Sequence, residues 1–417
     1  MKTKLQYLLN HPFMRNFSWM AAGELVVRIS RLVTTLILAR FLTQADYGLA
    51  ALAIASAELV RILASNGIGN LIVKTTPERL DSICSSVFWA NLGVGLIMFA
   101  LQYFGAGWIG TFYDSPMLTE MLTVLAVTHL IYPFAMVQFN LLQRASRMRE
   151  TSLLMAMTVG ADNLISAALV IAGFGVWGVV YAKIAAAVLW VVGLNLRKTW
   201  LPALHFSRED LRTMRDYSRH VMFSEVLKNG RNQIDLLILG RVLGAEAFGL
   251  YAFARNAGLG ISLSITNGFN MALFPRLCDA MREGKDVVAT YAESLKMGMS
   301  FIAPALLVQA LTAPFYVPIV FGEQWREASW LVTLLCLSAL PRMLFEATSV
   351  YYRASDRIAA ESRLALVFTL GFSLMIALTA QWGANTVALA MIAAYSAAST
   401  GAMIEIWTAR NRQLALA

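Results

Sequence analysis

Three ionisable residues stand where a lipid-facing helix could not keep them. In FSWMAAGELVVRISRLVTTLILARFL, residues 17–42, Glu24, Arg28 and Arg31 follow helical steps of four and three, so they share one face. About 20 apolar residues in a helix span a hydrocarbon layer of about 30 Å. Each central charge costs about 2.5–3.5 kcal/mol there, so such residues normally face a wet, protein-lined interior. One arginine would satisfy Glu24 as a structural ion pair, and the second leaves positive charge seeking an anion.

The theme recurs along the chain. Glu225, Lys228, Arg231 and Asp235 are spaced 3, 3 and 4 and again fall on one helical face. Glu58 and Arg61 lie one turn apart in another apolar run. Asp162 sits midway along a fifth run, Lys183 near the centre of a sixth, and Arg255 in an eighth. Around a shared hollow, Arg28, Arg31, Arg61, Lys228, Arg231 and Arg255 would outnumber Glu24, Glu58, Glu225 and Asp235. Guanidinium forks and an ammonium suit phosphate oxygens, and low dielectric strengthens the attraction. The expected anion sites are therefore Arg28, Arg31, Arg61, Lys183, Lys228, Arg231 and Arg255, with a diphosphate as the natural occupant. Glu24, Glu58, Asp162, Glu225 and Asp235 are the candidates for ion coupling. Against this stands the reading in which each pair only locks helices together.

The elements that must position these groups are membrane helices. Of 417 residues, 58% are hydrophobic and 14% charged, well below the charge of a soluble domain. Runs of about twenty apolar residues give twelve expected spans: 17–42, 46–68, 82–104, 117–141, 151–172, 174–195, 217–241, 247–274, 288–313, 328–351, 363–382 and 384–407. With the N-terminus inside, 22 basic residues fall on the inner side, against Arg40, Arg241 and Arg326 outside. Positive-inside sorting then places both termini in the cytoplasm. The net charge of +9 reports loop topology, not nucleic-acid binding.

A shift of 201 residues superposes LILARFLTQADYGLAALA (36–53) on LILGRVLGAEAFGLYAFA (237–254) and pairs Glu24 with Glu225. Six spans per half give two halves of like orientation, the arrangement of carriers that rock two bundles about a central site. The expected organisation is all-α: a bundle over 1–195, a cytoplasmic linker over 196–216 and a bundle over 217–417. In the linker region Leu204, Phe206, Leu211, Met214 and Tyr217 suggest an amphipathic surface helix. Pro314 and Pro318 suggest that Phe315 to Ser329 also lies along a surface.

Cys84, Cys278 and Cys336 form no CxxC or metal spacing, and four scattered histidines form no metal motif. MKTKLQYLLNHPFMRNF lacks a clean apolar core and cleavage site, and reads as a retained amphipathic lead-in. Paired carboxylates, nucleophile motifs and a large outer catalytic loop are all missing from the pattern, so an enzyme is not expected.

ILARFLTQADYGLAALAIA (37–55), SNGIGNLIVK (65–74) and VPIVFGEQW (317–325) together resemble the Wzx-type polysaccharide flippases of the multidrug/oligosaccharidyl-lipid/polysaccharide exporter superfamily. Within it the chain is similar to the colanic-acid/succinoglycan exporter branch. The resemblance implies a bacterial inner-membrane protein that moves undecaprenyl-diphosphate-linked oligosaccharide to the outer leaflet. It also implies a cationic central cavity, to which Arg28, Arg31 and Arg231 correspond. The expected partners are lipid-linked oligosaccharide and membrane lipid, with a polymerase and chain-length regulator beside it and no nucleic acid. No cofactor is expected beyond H+ or Na+ coupling. A fourteen-helix version is not expected at this length. Three alternatives stay open: a drug or ion antiporter of the same fold, a MurJ-like peptidoglycan-precursor flippase, and a membrane polymerase or glycosyltransferase.

Overall fold

In the computed structural model the described residues are 12–64, 67–145, 147–196, 200–203 and 207–416. The side chains of Glu24, Glu225 and Lys228 lie outside what is described, as do Leu204, Phe206 and the side chain of Tyr217. The described residues are overwhelmingly helical. In chain order the helices are α1 (Pro12–Phe41), α2 (Gln44–Ala64), α3 (Asn70–Lys74), α4 (Leu80–Phe112), α5 (Pro116–Ala126), α6 (Thr128–Ile131), α7 (Pro133–Arg144), α8 (Met148–Leu169), α9 (Trp177–Asn195), α10 (Arg208–Val242), α11 (Ala245–Ala254), α12 (Gly260–Arg282), α13 (Val287–Tyr316), α14 (Ser329–Ala354), α15 (Ile358–Thr379) and α16 (Ala384–Leu416). A helix overlies each of the twelve expected stretches. Among the described residues eight helices are long and apolar enough to cross a membrane, or nine if the pair around Tyr132, bent by 47°, is one span. The protein is a multi-pass membrane protein.

The chain divides into two compact units, Met1–Leu42 with Leu52–Gln233 and Thr43–Ala51 with Ile234–Ala417. The sequence repeat is visible in the element ends. α1 ends at Phe41 and α10 at Val242, while α2 begins at Gln44 and α11 at Ala245, each pair offset by 201.

In the first unit α1 lies along α8. Gly23 meets the Ser152 carbonyl and the Ala156 methyl, the close approach that small residues permit between membrane helices. Further along, Asn163 Nδ2 donates to Ser30 Oγ (2.8 Å), and Thr34 Oγ1 donates to the Asn163 carbonyl (2.9 Å). α8 ends in a wide turn at Gly173, whose φ of 91° is open to glycine, and α9 returns beside it.

The linker is held to this unit. Asp210, 1% exposed, accepts from Arg79 Nη2 (2.7 Å), Ser82 Oγ (2.7 Å) and Ser86 Oγ (3.1 Å). Trp89 Nε1 donates to the Ala203 carbonyl, and Gln138 Nε2 to that of Trp200. Met214 enters the core formed by Ile72, Cys84, Val87 and Val137. The helix begun at Arg208 continues unbroken as the expected seventh stretch. Its inward Met214 and exposed Glu209, Arg212 and Arg215 give it two faces.

In the second unit the segment 315–329 departs from a straight span and has two faces: Phe315, Ile319, Glu323 and Arg326 are exposed, while Val317, Phe321, Trp325 and Ala328 are buried. α13 runs through Pro304 and Pro314, then gives way to a wide turn over Val317–Phe321 and a tight one over Glu323–Ala328. Trp325 is fully buried, stacked on Phe253 at 4.2 Å with Tyr47 edge-on at 5.4 Å. An indole is a large apolar group, and its burial anchors the inner face of this segment.

Candidate functional site

Four of the residues singled out in the sequence converge in the first unit. Glu58 and Arg61 from α2, Asp162 from α8 and Lys183 from α9 line one cavity of about 340 Å³. Arg61 grips Glu58 with two guanidinium nitrogens, one at 2.7 Å and the other closer. Lys183 Nζ donates to Asp162 Oδ2 at 2.5 Å. Each cation thus faces a carboxylate, and the four formal charges sum to zero. The wall between them is apolar, with Ile54, Leu125, Val159 and Ala186. Arg61 is half exposed and Lys183 37% exposed, so neither pair is sealed from a ligand.

Local sequence explains how the wall forms. Pro133 has no amide hydrogen, so the helix breaks between α6 and α7 and the bend carries His129 and Tyr132 into the lining. His129 is buried, its Nε2 2.9 Å from Gln102 Oε1, and Gln102 Nε2 donates to the Leu122 carbonyl at 2.8 Å. A second cavity of about 500 Å³ adjoins the first and shares Arg61, His129, Tyr132, Thr158 and Val159 with it.

The other singled-out residues are placed differently. Arg28 is half buried and Arg31 exposed on α1, while Arg231 is buried in α10 at 7% exposure. In the second unit Arg255 Nε donates to Asp235 Oδ2 at 2.6 Å, and Tyr251 Oη donates to the same oxygen at 2.7 Å. Asp235 Oδ1 is buried there without a hydrogen-bond partner. This pair is more enclosed than those of the first unit, with Asp235 at 4% and Arg255 at 19% exposure. Beyond Pro341, Arg342 approaches Glu346 at 3.9 Å and lies over the Tyr395 ring, as its i,i+4 spacing implies. Among the described residues no three His, Cys, Asp or Glu side chains form a metal-holding group.

Sequence reading passed over Asn91, His129, Tyr132 and Trp190. The available signal was a polar or amphipathic residue at mid-depth of an apolar run. Helical spacing gives Lys183 no partner on its own helix, because Asp162 lies on the preceding one.

A family model described as polysaccharide biosynthesis protein matches residues 37–330. The succinoglycan biosynthesis transport protein ExoT of Rhizobium meliloti is 24% identical over 328 residues, 78% of this chain and 65% of that one. The lipopolysaccharide biosynthesis protein WzxC of Escherichia coli is 24% identical over 333 residues, 78% and 66%. The teichuronic acid biosynthesis protein TuaB of Bacillus subtilis is 22% identical over 409 residues, 95% and 79%. The match to the first two therefore spans just under two thirds of their length. Among solved structures, the lipid II flippase MurJ in an inward closed conformation superposes with a TM-score of 0.76 at 12% identity, covering 93% of this chain and 87% of that one. An inward-facing multidrug MATE transporter of the MOP superfamily gives 0.75 at 15%, covering 93% and 95%. At these identities the likeness is one of fold.

Proposed function

Because the chain belongs to the polysaccharide biosynthesis protein family, we propose that it carries polyprenyl-diphosphate-linked oligosaccharide across the bacterial inner membrane. The finer architecture belongs to this reading: twelve spans in two six-helix bundles, 1–195 and 217–417, joined by a cytoplasmic linker over 196–216. Both termini then lie in the cytoplasm, as the distribution of basic residues supports.

One observation carries the proposal. Arg61 and Lys183 open onto a cavity within a membrane-embedded unit, each held by an acid that a stronger anion could displace. A diphosphate offers several charged oxygens to the same donors. As it takes over Arg61 and Lys183, Glu58 and Asp162 lose their counter-ions and accept protons, so the cavity never carries a large net charge through hydrocarbon. Proton binding and diphosphate binding then favour one another, which is the linkage a gradient needs to drive the cycle. Na+ would serve in the proton's place where a carboxylate stays ionised. Arg28, Arg31, Lys228, Arg231 and Arg255 form the remaining cationic set, with Glu24, Glu225 and Asp235 as further coupling acids. A polymerase and chain-length regulator would take the delivered unit.

The names of the relatives support this cargo over a drug or a peptidoglycan precursor. They are proteins of succinoglycan, lipopolysaccharide and teichuronic acid biosynthesis. The test is polymer export in a strain whose own copy is replaced. Arg61→Ala and Lys183→Ala should each cut export at least tenfold at unchanged membrane abundance. Full export in both would remove the diphosphate from this cavity. Lysis on depletion, before any loss of polymer, would move the cargo to a peptidoglycan precursor.

A further inference from the structure

The larger cavity of the first unit has a property that the charged one lacks. Asn91, on α4, lines it and is only 6% exposed, yet its Nδ2 has no hydrogen-bond partner. A buried amide without a partner costs stability, and native chains keep one where something outside the chain completes it. The cavity, at about 500 Å³, is far roomier than one water, which takes about 30 Å³. Its surroundings combine an aromatic face, Trp190, with hydrogen-bonding groups on Asn91, Thr158, Tyr132 and His129, over a floor of Val94, Pro133, Met136 and Met155.

The polar end of this bay is Arg61, which it shares with the ion-pair cavity. On the proposed function, a diphosphate at Arg61 and Lys183 carries a prenyl chain on one side and a sugar on the other. A prenyl chain has no group to offer the Asn91 amide. A pyranose has both a hydrocarbon face for Trp190 and hydroxyl or acetamido oxygens for an amide. We propose that this bay is the subsite for the sugar ring attached directly to the diphosphate, with Asn91 and Trp190 its positioning contacts. The inference rests on the diphosphate reading of the adjoining cavity. It adds that specificity for the cargo is read one ring from the lipid, inside the first unit.

The test uses the full chain purified in detergent and two probes, farnesyl diphosphate and the same lipid bearing one N-acetylglucosamine. The wild type should bind the sugar-bearing probe at least tenfold more tightly. Asn91→Leu, which keeps the branched shape and removes the lone amide, should shrink that advantage below threefold. It should leave farnesyl diphosphate affinity within twofold and should not lower the melting temperature. Trp190→Ala should also erase the sugar advantage while Trp190→Phe retains most of it, so the question survives if one variant fails to fold. Equal loss for both probes, or no loss for either, in the variants that fold would overturn the subsite alone. If neither probe binds, or if Arg61→Ala and Lys183→Ala leave farnesyl diphosphate binding untouched, the diphosphate reading falls and the subsite with it.

Discussion

Gly48 rests directly on Gly249, its own counterpart 201 residues later in the chain. A Cβ on Gly48 would come within 3.0 Å of the Gly249 backbone, and one on Gly249 within 1.8 Å of the Gln44 carbonyl oxygen. The two copies of the repeat thus touch inside the second unit, to which Gln44, Tyr47 and Gly48 belong. Tyr47 accepts from Asn256 Nδ2, and Gln44 Nε2 donates to the Gln324 carbonyl at 2.5 Å.

Gly249→Ala should therefore be the more damaging of the two alanine substitutions, because a backbone carbonyl cannot rotate aside. Overpacking typically costs about 1–3 kcal/mol. Thermal unfolding in detergent should order the variants as wild type, Gly48→Ala, Gly249→Ala. A Gly249→Ala protein as stable as the wild type would contradict the close approach.

The Lys183–Asp162 pair offers a separation of structure from transport. Lys183→Gln leaves Asp162, 15% exposed, without its counter-charge, and Asp162→Asn does the reverse. With Lys183 partly open to solvent, each single change should cost about 1–2 kcal/mol. The double variant should regain most of that stability, since both charges are gone. Export should stay at least tenfold down in all three. Recovery of export in the double variant would make the pair a helix fastener and nothing more.

The Asp210 clasp predicts a localised failure. Asp210→Ala removes the acceptor shared by Arg79, Ser82 and Ser86 and should cost about 2–4 kcal/mol. Limited proteolysis of membranes should then cut within residues 200–210 well before any span is lost. Protection equal to that of the wild type would show that Trp89, Gln138 and Met214 hold the strap unaided.

At the start of α13, Asp286 Oδ1 accepts from the Ala289 amide at 3.0 Å, and Oδ2 meets Arg410 at 2.5 Å. The amide bond first, and Arg410 after it, hold this carboxyl below the ordinary aspartate value of 3.8. A depressed folded value means that the stabilisation is fully present above about pH 4 and fades as pH falls through the lower folded value. Asp286→Ala should cost about 1 kcal/mol near neutral pH, mostly as a lost helix cap. Unfolding curves of wild type and variant should converge in acid. A gap unchanged down to pH 2 would mean that the charge of Asp286 contributes nothing.

The elements were legible because two strong signals constrain them. Apolar runs of span length place helices within a few residues, and the repeat carries the boundary at Phe41 and Gln44 to Val242 and Ala245. Pairs close in sequence were legible for the same reason: Glu58 with Arg61 and Arg342 with Glu346 follow from helical spacing alone. Lys183 with Asp162, Asp235 with Arg255, and Asp210 with Arg79 join different helices, and no periodicity encodes them. In 315–329 the prolines mark the departure from a straight span, whereas the aromatic socket that takes Trp325 comes from Phe253 and Tyr47 and no local pattern reveals it. Asn91 was invisible because a lone amide in an apolar run matters only once its missing partner is known.

The clasp also bears on how the protein is made. Arg79 and Asp210 stand 131 residues apart, so the first of them leaves the ribosome well before its acceptor exists. At typical synthesis rates that interval is on the order of ten seconds. Throughout it Ser82, Ser86 and Arg79 wait without the carboxylate that will gather them. Insertion machinery or a chaperone must tolerate an unfinished half-product for that long, and a nascent chain arrested before Asp210 would be the natural bait with which to catch it.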